Sequence, residues 1–388
     1  MNLLKKTTPW VVASLLTTAS AFAENQDLAK NDKCRPVCPP CSTPCDFKEM
    51  MPGMPGYNAP SRVNVCGNWD MYADASFIYW QVAQDNMAYA LTNTNTHGQI
   101  TNPGTTGNYV QMDFDYKPGF KVGGGINFDH DNWDSSAEYT RLHGTNSAST
   151  NGPAGGFLFA NWGSPSLLSL SQAFSSASSS FKTDLDTVDW VFGRNFFVGK
   201  NLTFHPVLGA RGAWITQAAT VHYRNSASSG LTGAAGSVSS AAASSLDVYS
   251  RVHSWAVGPR TGVEGNWMIG QGLRFFGNGY ADLLYTNYKL QNKSVYTPYA
   301  TGITRTVHSK GNVGAIRTHL DLELGLGWGS YFDDNNWHVD LSAGYGFQVF
   351  FNQNMFRQSF DDVVISAGSN TNGDMTIQGL TVTARFDF

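Results

Sequence analysis

Strict two-residue alternation constrains this chain more than any other feature. In residues 380–388, Leu380, Val382, Ala384, Phe386 and Phe388 take every second position, with Thr381, Thr383, Arg385 and Asp387 between them. That period turns one strand face toward hydrocarbon and the other toward water. The pattern recurs upstream. Met71, Ala73, Ala75, Phe77 and Tyr79 alternate with Tyr72, Asp74 and Ser76, and Leu320, Leu322, Leu324, Leu326 and Trp328 alternate with His319, Asp321, Glu323, Gly325 and Gly327. Residues 337–351 read the same way. About ten such strands are recognisable from residue 69 to the end.

The connections set the topology. Residues 129–132, 195–200, 266–270 and 330–336 are tight. The alternate connections, about 81–116, 144–183, 217–250, 287–314 and 352–374, are long and rich in Ser, Thr, Asn, Gly and Ala. Short and long connections in strict turn, with aromatics near strand ends, describe an all-β transmembrane barrel: antiparallel, up-and-down, about ten strands. Hairpins within 81–116 and 144–183 would raise the number toward sixteen. An even count puts both chain ends on the side of the tight turns, the periplasm. A soluble sandwich has no reason to segregate its loop lengths so regularly.

The N-terminus fits export. Lys5 and Lys6 precede a short apolar core, residues 10–16, and Ala21-Phe22-Ala23 has the form of a signal-peptidase site. The run is too short to span a bilayer, which needs about 20 residues. Residues 1–23 are therefore read as a cleaved signal peptide. Removing its two lysines leaves 23 basic against 29 acidic residues, net −6, which argues against nucleic acid as a partner. Charged residues are 14% of the chain, below the roughly 25% usual in soluble domains.

Residues 24–65 form a separate, irregular extension. Cys34, Cys38, Cys41 and Cys45 lie among Pro36, Pro39, Pro40 and Pro44, and proline removes ladder donors. The C-x3-C-x2-C-x3-C spacing departs from the paired C-x2-C units of structural zinc sites, and disulfides are the expectation for an exported chain. Cys66 makes the count odd. Two readings stay open: covalent links to other envelope chains, or two local disulfides that staple the extension. No cofactor or metal is expected.

Phe77-Ile-Tyr-Trp80 with Tyr89-Ala90, Gly119-Phe-Lys-Val-Gly123, Asn127-Phe128, Asp131, Trp133-Asp134, Glu138-Tyr-Thr140, His143, Gly258-Pro-Arg260 and Asn266-Trp267 carry a resemblance. From about residue 66 to the end, the chain resembles the Legionella-type major outer membrane protein family, also found in chlamydia-like bacteria. The resemblance implies a pore-forming surface barrel over 66–388, set in outer-membrane lipid. An aromatic final residue on the last strand is similarly the ending that barrel assembly machinery recognises. The Cys/Pro-rich extension lies outside the family pattern and resembles disulfide-linked envelope proteins of chlamydial relatives.

The expected function is that of a general diffusion porin for small hydrophilic solutes or ions. Eight strands leave room only for side chains and sixteen leave an aqueous channel, so ten predict small conductance. Charged positions on the water face are the expected pore lining: Lys121, Glu138, Asp189, Arg211, Arg260, Glu264, Arg274, Asp282, Arg317, Asp321, Glu323 and Asp340. Opposed charges across a narrow lumen tune ion selectivity. They equally serve to neutralise one another inside a filled barrel. A structural or adhesive barrel without transport is the alternative, and homo-oligomerisation by analogy with porins is a further expectation.

An outer-membrane hydrolase is the remaining rival. His319 with Asp321, and His338 with Asp340, share a strand face. Residues at i and i+2 stand roughly 7 Å apart, too far to bond without a second strand. Neither G-x-S-x-G nor H-E-x-x-H occurs. The chain is therefore read as a non-enzyme.

Overall fold

The computed structural model describes residues 61–65, 70–93, 107–128, 132–153, 157–163, 173–225, 244–298, 303–359, 368–370 and 373–388. The expected signal peptide, Trp69 and all five cysteines (Cys34, Cys38, Cys41, Cys45 and Cys66) lie outside the described residues. Ten long strands form the wall: β1 (Met71–Gln84), β2 (Tyr116–Asn127), β3 (Trp133–Asn151), β4 (Ser176–Arg194), β5 (Leu202–Asn225), β6 (Ser244–Gly270), β7 (Leu273–Pro298), β8 (Arg305–Phe332), β9 (Trp337–Phe350) and β10 (Met375–Asp387). Each pairs antiparallel with its chain neighbours, and β1 pairs with β10 from Tyr72↔Asp387 to Gln84↔Met375, so the sheet closes on itself. Met71 and Phe388 exchange backbone hydrogen bonds of 3.1 and 2.9 Å at the seam. The final strand closes the barrel, as its sequence predicts.

Alternation decides the faces. Along β8, Leu322, Leu324 and Leu326 are exposed on the outside while His319 and Asp321 are buried inside. Outward apolar residues continue around the wall through Phe77, Val122, Val188, Leu208, Val257, Leu283, Leu341 and Val382. Aromatic residues bound this band at both ends. At the rim where β1 begins, Trp133 stacks on Phe192 and Trp337 on Phe386, with ring centroids 4.7 and 5.1 Å apart. At the other end, Tyr79 stacks on Tyr116 at 5.4 Å, and Trp255 meets Tyr285 at 5.9 Å. Trp255 and Trp267 sit at opposite ends of the band on β6, twelve residues apart. At about 3.3 Å per residue and a tilt near 40°, that is roughly 30 Å along the barrel axis, the thickness of a hydrocarbon core.

Turn chemistry explains the near rim, the end where β1 begins and β10 finishes. The β6–β7 turn is Gln271-Gly272, with φ of 54° and 79°, the two left-handed residues of a type I′ hairpin. Between β8 and β9, Asp333, Asp334 and Asn335 all have positive φ, the region that Asp and Asn tolerate best after glycine.

The far rim differs from expectation. Strands β5 to β8 run for 24, 27, 26 and 28 residues, where roughly 10 suffice to cross a bilayer. Most of the 287–314 connection, and both ends of the 217–250 connection, are therefore wall. Short strands do occur in the 81–116 and 144–183 connections, but they add nothing to the wall. Ala90–Asn93, Tyr109–Val110, Phe157–Ala160 and Ala173–Phe174 pair into a separate four-stranded sheet. That sheet caps the barrel's mouth. Met87, Tyr89, Leu158, Trp162, Phe174, Met355 and Phe356 from the connections pack on Phe181, Val221, Tyr223, Leu246, Val248 and Tyr288 from the wall. Trp162 Nε1 and Asn161 Nδ2 both donate to the Ala88 carbonyl, at 2.9 and 2.8 Å, and the Tyr223 hydroxyl donates to the Tyr89 carbonyl.

Candidate functional site

The interior below the cap has two layers. The upper one is an apolar belt of Ile78, Trp80, Val82, Leu142, Leu185, Ala213, Ile215, Ala256, Leu284, Phe350, Met375 and Ile377. These residues come from eight of the ten strands, and all are buried. Burial of each large member is worth about 1.5–3 kcal/mol. At the top of the belt, Gln217 on β5 donates to Gln84 on β1, a bond that spans the lumen.

The lower layer is ionic. Register builds it: Arg385, Asp74, Gly123, Glu138, Asp189 and Arg211 occupy one row across β10, β1, β2, β3, β4 and β5. A second row sets Arg260 beside Asp282 and Asp282 beside His319 on β6, β7 and β8. Arg211 joins the rows. Its guanidinium makes a fork to Asp189 at 2.5 and 2.6 Å, then reaches across to Asp282 at 3.1 Å and toward Asp321 at 3.7 Å. Arg260 bonds Asp282 at 2.9 Å and Asp321 at 3.4 Å, and lies 3.9 Å over the Tyr280 ring. Such bidentate, charge-assisted bonds are stronger than neutral ones and fix geometry.

Glycines make room for this layer. Arg274 crosses Gly327 to pair with Asp340, and a Cβ at Gly327 would stand 2.7 Å from its guanidinium carbon. His205 crosses Gly193 to bond Asp134 at 2.8 Å while its other ring nitrogen meets Glu264 at 3.0 Å; a Cβ at Gly193 would lie 2.4 Å from that imidazole. Small residues on the inner face therefore let side chains two strands apart touch.

Of the twelve expected lumen charges, eleven belong to this layer. Lys121 pairs with Glu138 at 3.0 Å, Tyr280 donates to Glu264, and Glu323 leans over Gly344. Arg317 is the exception: it stands level with Leu284, 3.6 Å from Met355 Sδ and 5.8 Å over the Tyr288 ring, on the cap side of the belt. Expectation missed Asp74, Asp134, His205, His338, Arg385 and Asp387. The same alternation marks all six as inward, so the signal was present. Neither i, i+2 pair forms a dyad. His319 bonds Asp282 on the next strand at 2.6 Å, and His338 bonds Asp387 at 2.8 Å. Among the described residues no cluster of His, Cys, Asp or Glu is arranged to hold a metal.

With fold and interior in hand, comparison with known proteins identifies the relationship. Residues 63–388 match the family described as Legionella pneumophila major outer membrane protein precursor. The chain belongs to that family. Membership and closed barrel together make it a bacterial outer-membrane protein seated in lipid. A search of the curated proteins finds no match. Among solved structures, the chain is similar to the outer membrane protease OmpT from Escherichia coli, at 12% identity over 82% of this chain and 96% of that one, with a TM-score of 0.35. It is also similar to a Pseudomonas aeruginosa FadL homologue, at 8% identity over 82% and 89% with a TM-score of 0.25. Ail, the attachment invasion locus protein of Yersinia pestis, follows at 8% identity over 82% and 99%, with a TM-score of 0.20. At these scores the solved structures carry no functional argument.

Proposed function

We propose that this member of the family is a porin of small conductance, passing small cations and other small hydrophilic solutes, and shut at rest by its apolar belt. Its chain ends lie in the periplasm and its cap at the cell surface. The observation that carries this reading is the charge balance below the belt. Among the described residues, Asp74, Asp134, Glu138, Asp189, Glu264, Asp282, Asp321, Glu323, Asp340 and Asp387 face Lys121, Arg211, Arg260, Arg274 and Arg385, with His205, His319 and His338. Even three charged histidines leave the carboxylates in excess. A permanently sealed core has no use for surplus charge, whereas a lattice that hydrates when the belt opens draws cations to it. The belt then acts as a hydrophobic constriction, which stops ions by dewetting.

The packing favours a second reading, a structural barrel without transport, since the belt and the Gln84–Gln217 bridge both span the lumen. Planar-bilayer recording separates the two. The porin should show small, mostly closed, cation-preferring steps, and Trp80→Ala should raise the open fraction and step size. Silence from both proteins would abandon the porin for the structural barrel. Enzymatic activity has no support in the histidine pairs, whose partners are carboxylates inside the wall. Hydrolysis of lipid or peptide that is lost on replacing His319 would reverse that judgement.

A further inference from the structure

The outer surface beyond the far girdle is uneven in charge. On β3 and β4, cations and acids pair: His143 with Asp186 at 3.0 Å and Lys182 with Asp184 at 2.7 Å. On β6 to β8 they do not. Arg251 and His253 on β6, Lys289 and Lys293 on β7, and His308 and Lys310 on β8 all face outward there. Register brings them together. Arg251 is level with Gln291 and Lys310, His253 with Lys289 and Asn312, and Tyr249 with Lys293 and His308. With strands about 4.8 Å apart and alternate residues about 6.7 Å apart, they fit within a patch roughly 15 Å across.

Among the described residues no acid answers this patch, and none of the six joins an ion pair. Asp247, farther out on β6, is engaged by His222 and Arg224, both at 2.6 Å. The connections that enter β6 and join β7 to β8, 226–243 and 299–302, contain no Asp or Glu at all. Directly below lies bare hydrocarbon-facing surface: Trp255, Tyr285 and Ile316, the last 65% exposed. Phosphate-sized charge is wanted above and acyl chains below, at the depth where a bilayer places its headgroups.

We propose that this face of β6 to β8 is a binding site for the phosphate-bearing headgroups of anionic lipids, holding a lipid annulus against one side of the barrel. The proposal rests on the membrane seating of the far girdle and not on conduction, so silence in bilayer recording leaves it standing. The full barrel is reconstituted in phosphatidylcholine vesicles with a minority of phosphatidylglycerol, excised with its annular lipid, and the lipid ratio measured by mass spectrometry. The native protein should carry phosphatidylglycerol severalfold above the bulk ratio. Lys289→Gln or Lys310→Gln alone should lower the enrichment by up to about fivefold. The four-fold variant Arg251→Gln, Lys289→Gln, Lys293→Gln, Lys310→Gln should bring it to the bulk ratio, while Lys182→Gln on the paired wall should leave it unchanged. Folding of each variant is read from the heat-dependent shift of intact barrels on gels, and the single variants serve if the four-fold one misfolds. No enrichment by the native barrel, or equal loss in the paired-wall variant, would overturn the site. Displacement by inorganic phosphate, but not by chloride at equal ionic strength, would assign the patch to a free anion and overturn the lipid.

Discussion

The two halves of the barrel interior have opposite chemistry, the lower built on all ten strands and the upper on β3 to β8. Below the belt, the inner face carries a lattice of guanidinium groups and carboxylates; above it, the inner face is Phe181, Val221, Tyr223, Leu246 and Val248 under an aromatic cap. The lower half is short, bounded by tight turns and made by the wall, with residues 61–65 packed at its rim. The upper half is tall and is completed by connections. The contrast teaches that closure and filling are separate problems here. Polar side chains fill the part of the lumen at membrane depth, where the outward face must be apolar and the inner face takes up the polar residues of each strand. Where the strands leave the bilayer, the outward face turns polar and the apolar residues move inside.

The sharpest way to break the lower half is Arg211→Met. The side chain is 4% exposed and its fork holds Asp189, with Asp282 and Asp321 within reach. Methionine keeps much of the volume but leaves three carboxylates short of a cation. Removing one partner of a buried ion pair costs about 3–5 kcal/mol. Urea unfolding in vesicles should show that loss, and Asp189→Asn added to Arg211→Met should recover part of it. A change under about 1 kcal/mol would mean that water already screens the lattice.

The cap answers differently. Phe356 is 1% exposed between Trp162 and Phe181, at centroid distances of 5.4 and 6.1 Å. Phe356→Ala should cost about 3 kcal/mol, at the low end for buried aromatics because a connection can settle into the gap. The loss should appear as opening of the cap, with faster hydrogen exchange at Trp162 and its neighbours, while the wall unfolds at nearly its native urea midpoint. Joint unfolding of cap and wall would show that the two halves are one cooperative unit.

How much of this was legible beforehand follows from the same contrast. At membrane depth, each strand must show lipid one face and the lumen the other, so Leu320 through Trp328 and the 337–351 stretch announce both their existence and their orientation. Inward charges such as Arg260 and Asp282 could be named for that reason. Their partners could not, because Arg211 finds Asp282 only by passing over the intervening strand β6, where Gly258 stands level with it. Beyond the girdle no face owes anything to hydrocarbon. Lys289, Lys293, His308 and Lys310 then read as connection although they are strand. The cap was hidden for another reason. Its sheet pairs Ala90 with Ala160, partners seventy residues apart in short segments that alternation alone cannot match.

The smallest effect tests whether place, and not pairing itself, gives the ionic lattice its weight. Lys182 and Asp184 form an ion pair at 2.7 Å, as short as many contacts inside, but on the outward face beyond the girdle, with the lysine side chain 52% exposed. The pair gains little Coulomb energy in water and spends side-chain entropy to hold its geometry, so such pairs are worth about 0–1 kcal/mol. Lys182→Ala should therefore shift the urea midpoint by a small fraction of the Arg211→Met shift, and the shift should shrink further at high salt. Equal losses at the two sites would mean that the lumen is as wet as the surface. The belt would then be no barrier to water, and the difference between the halves would lie in residue type alone and not in solvation.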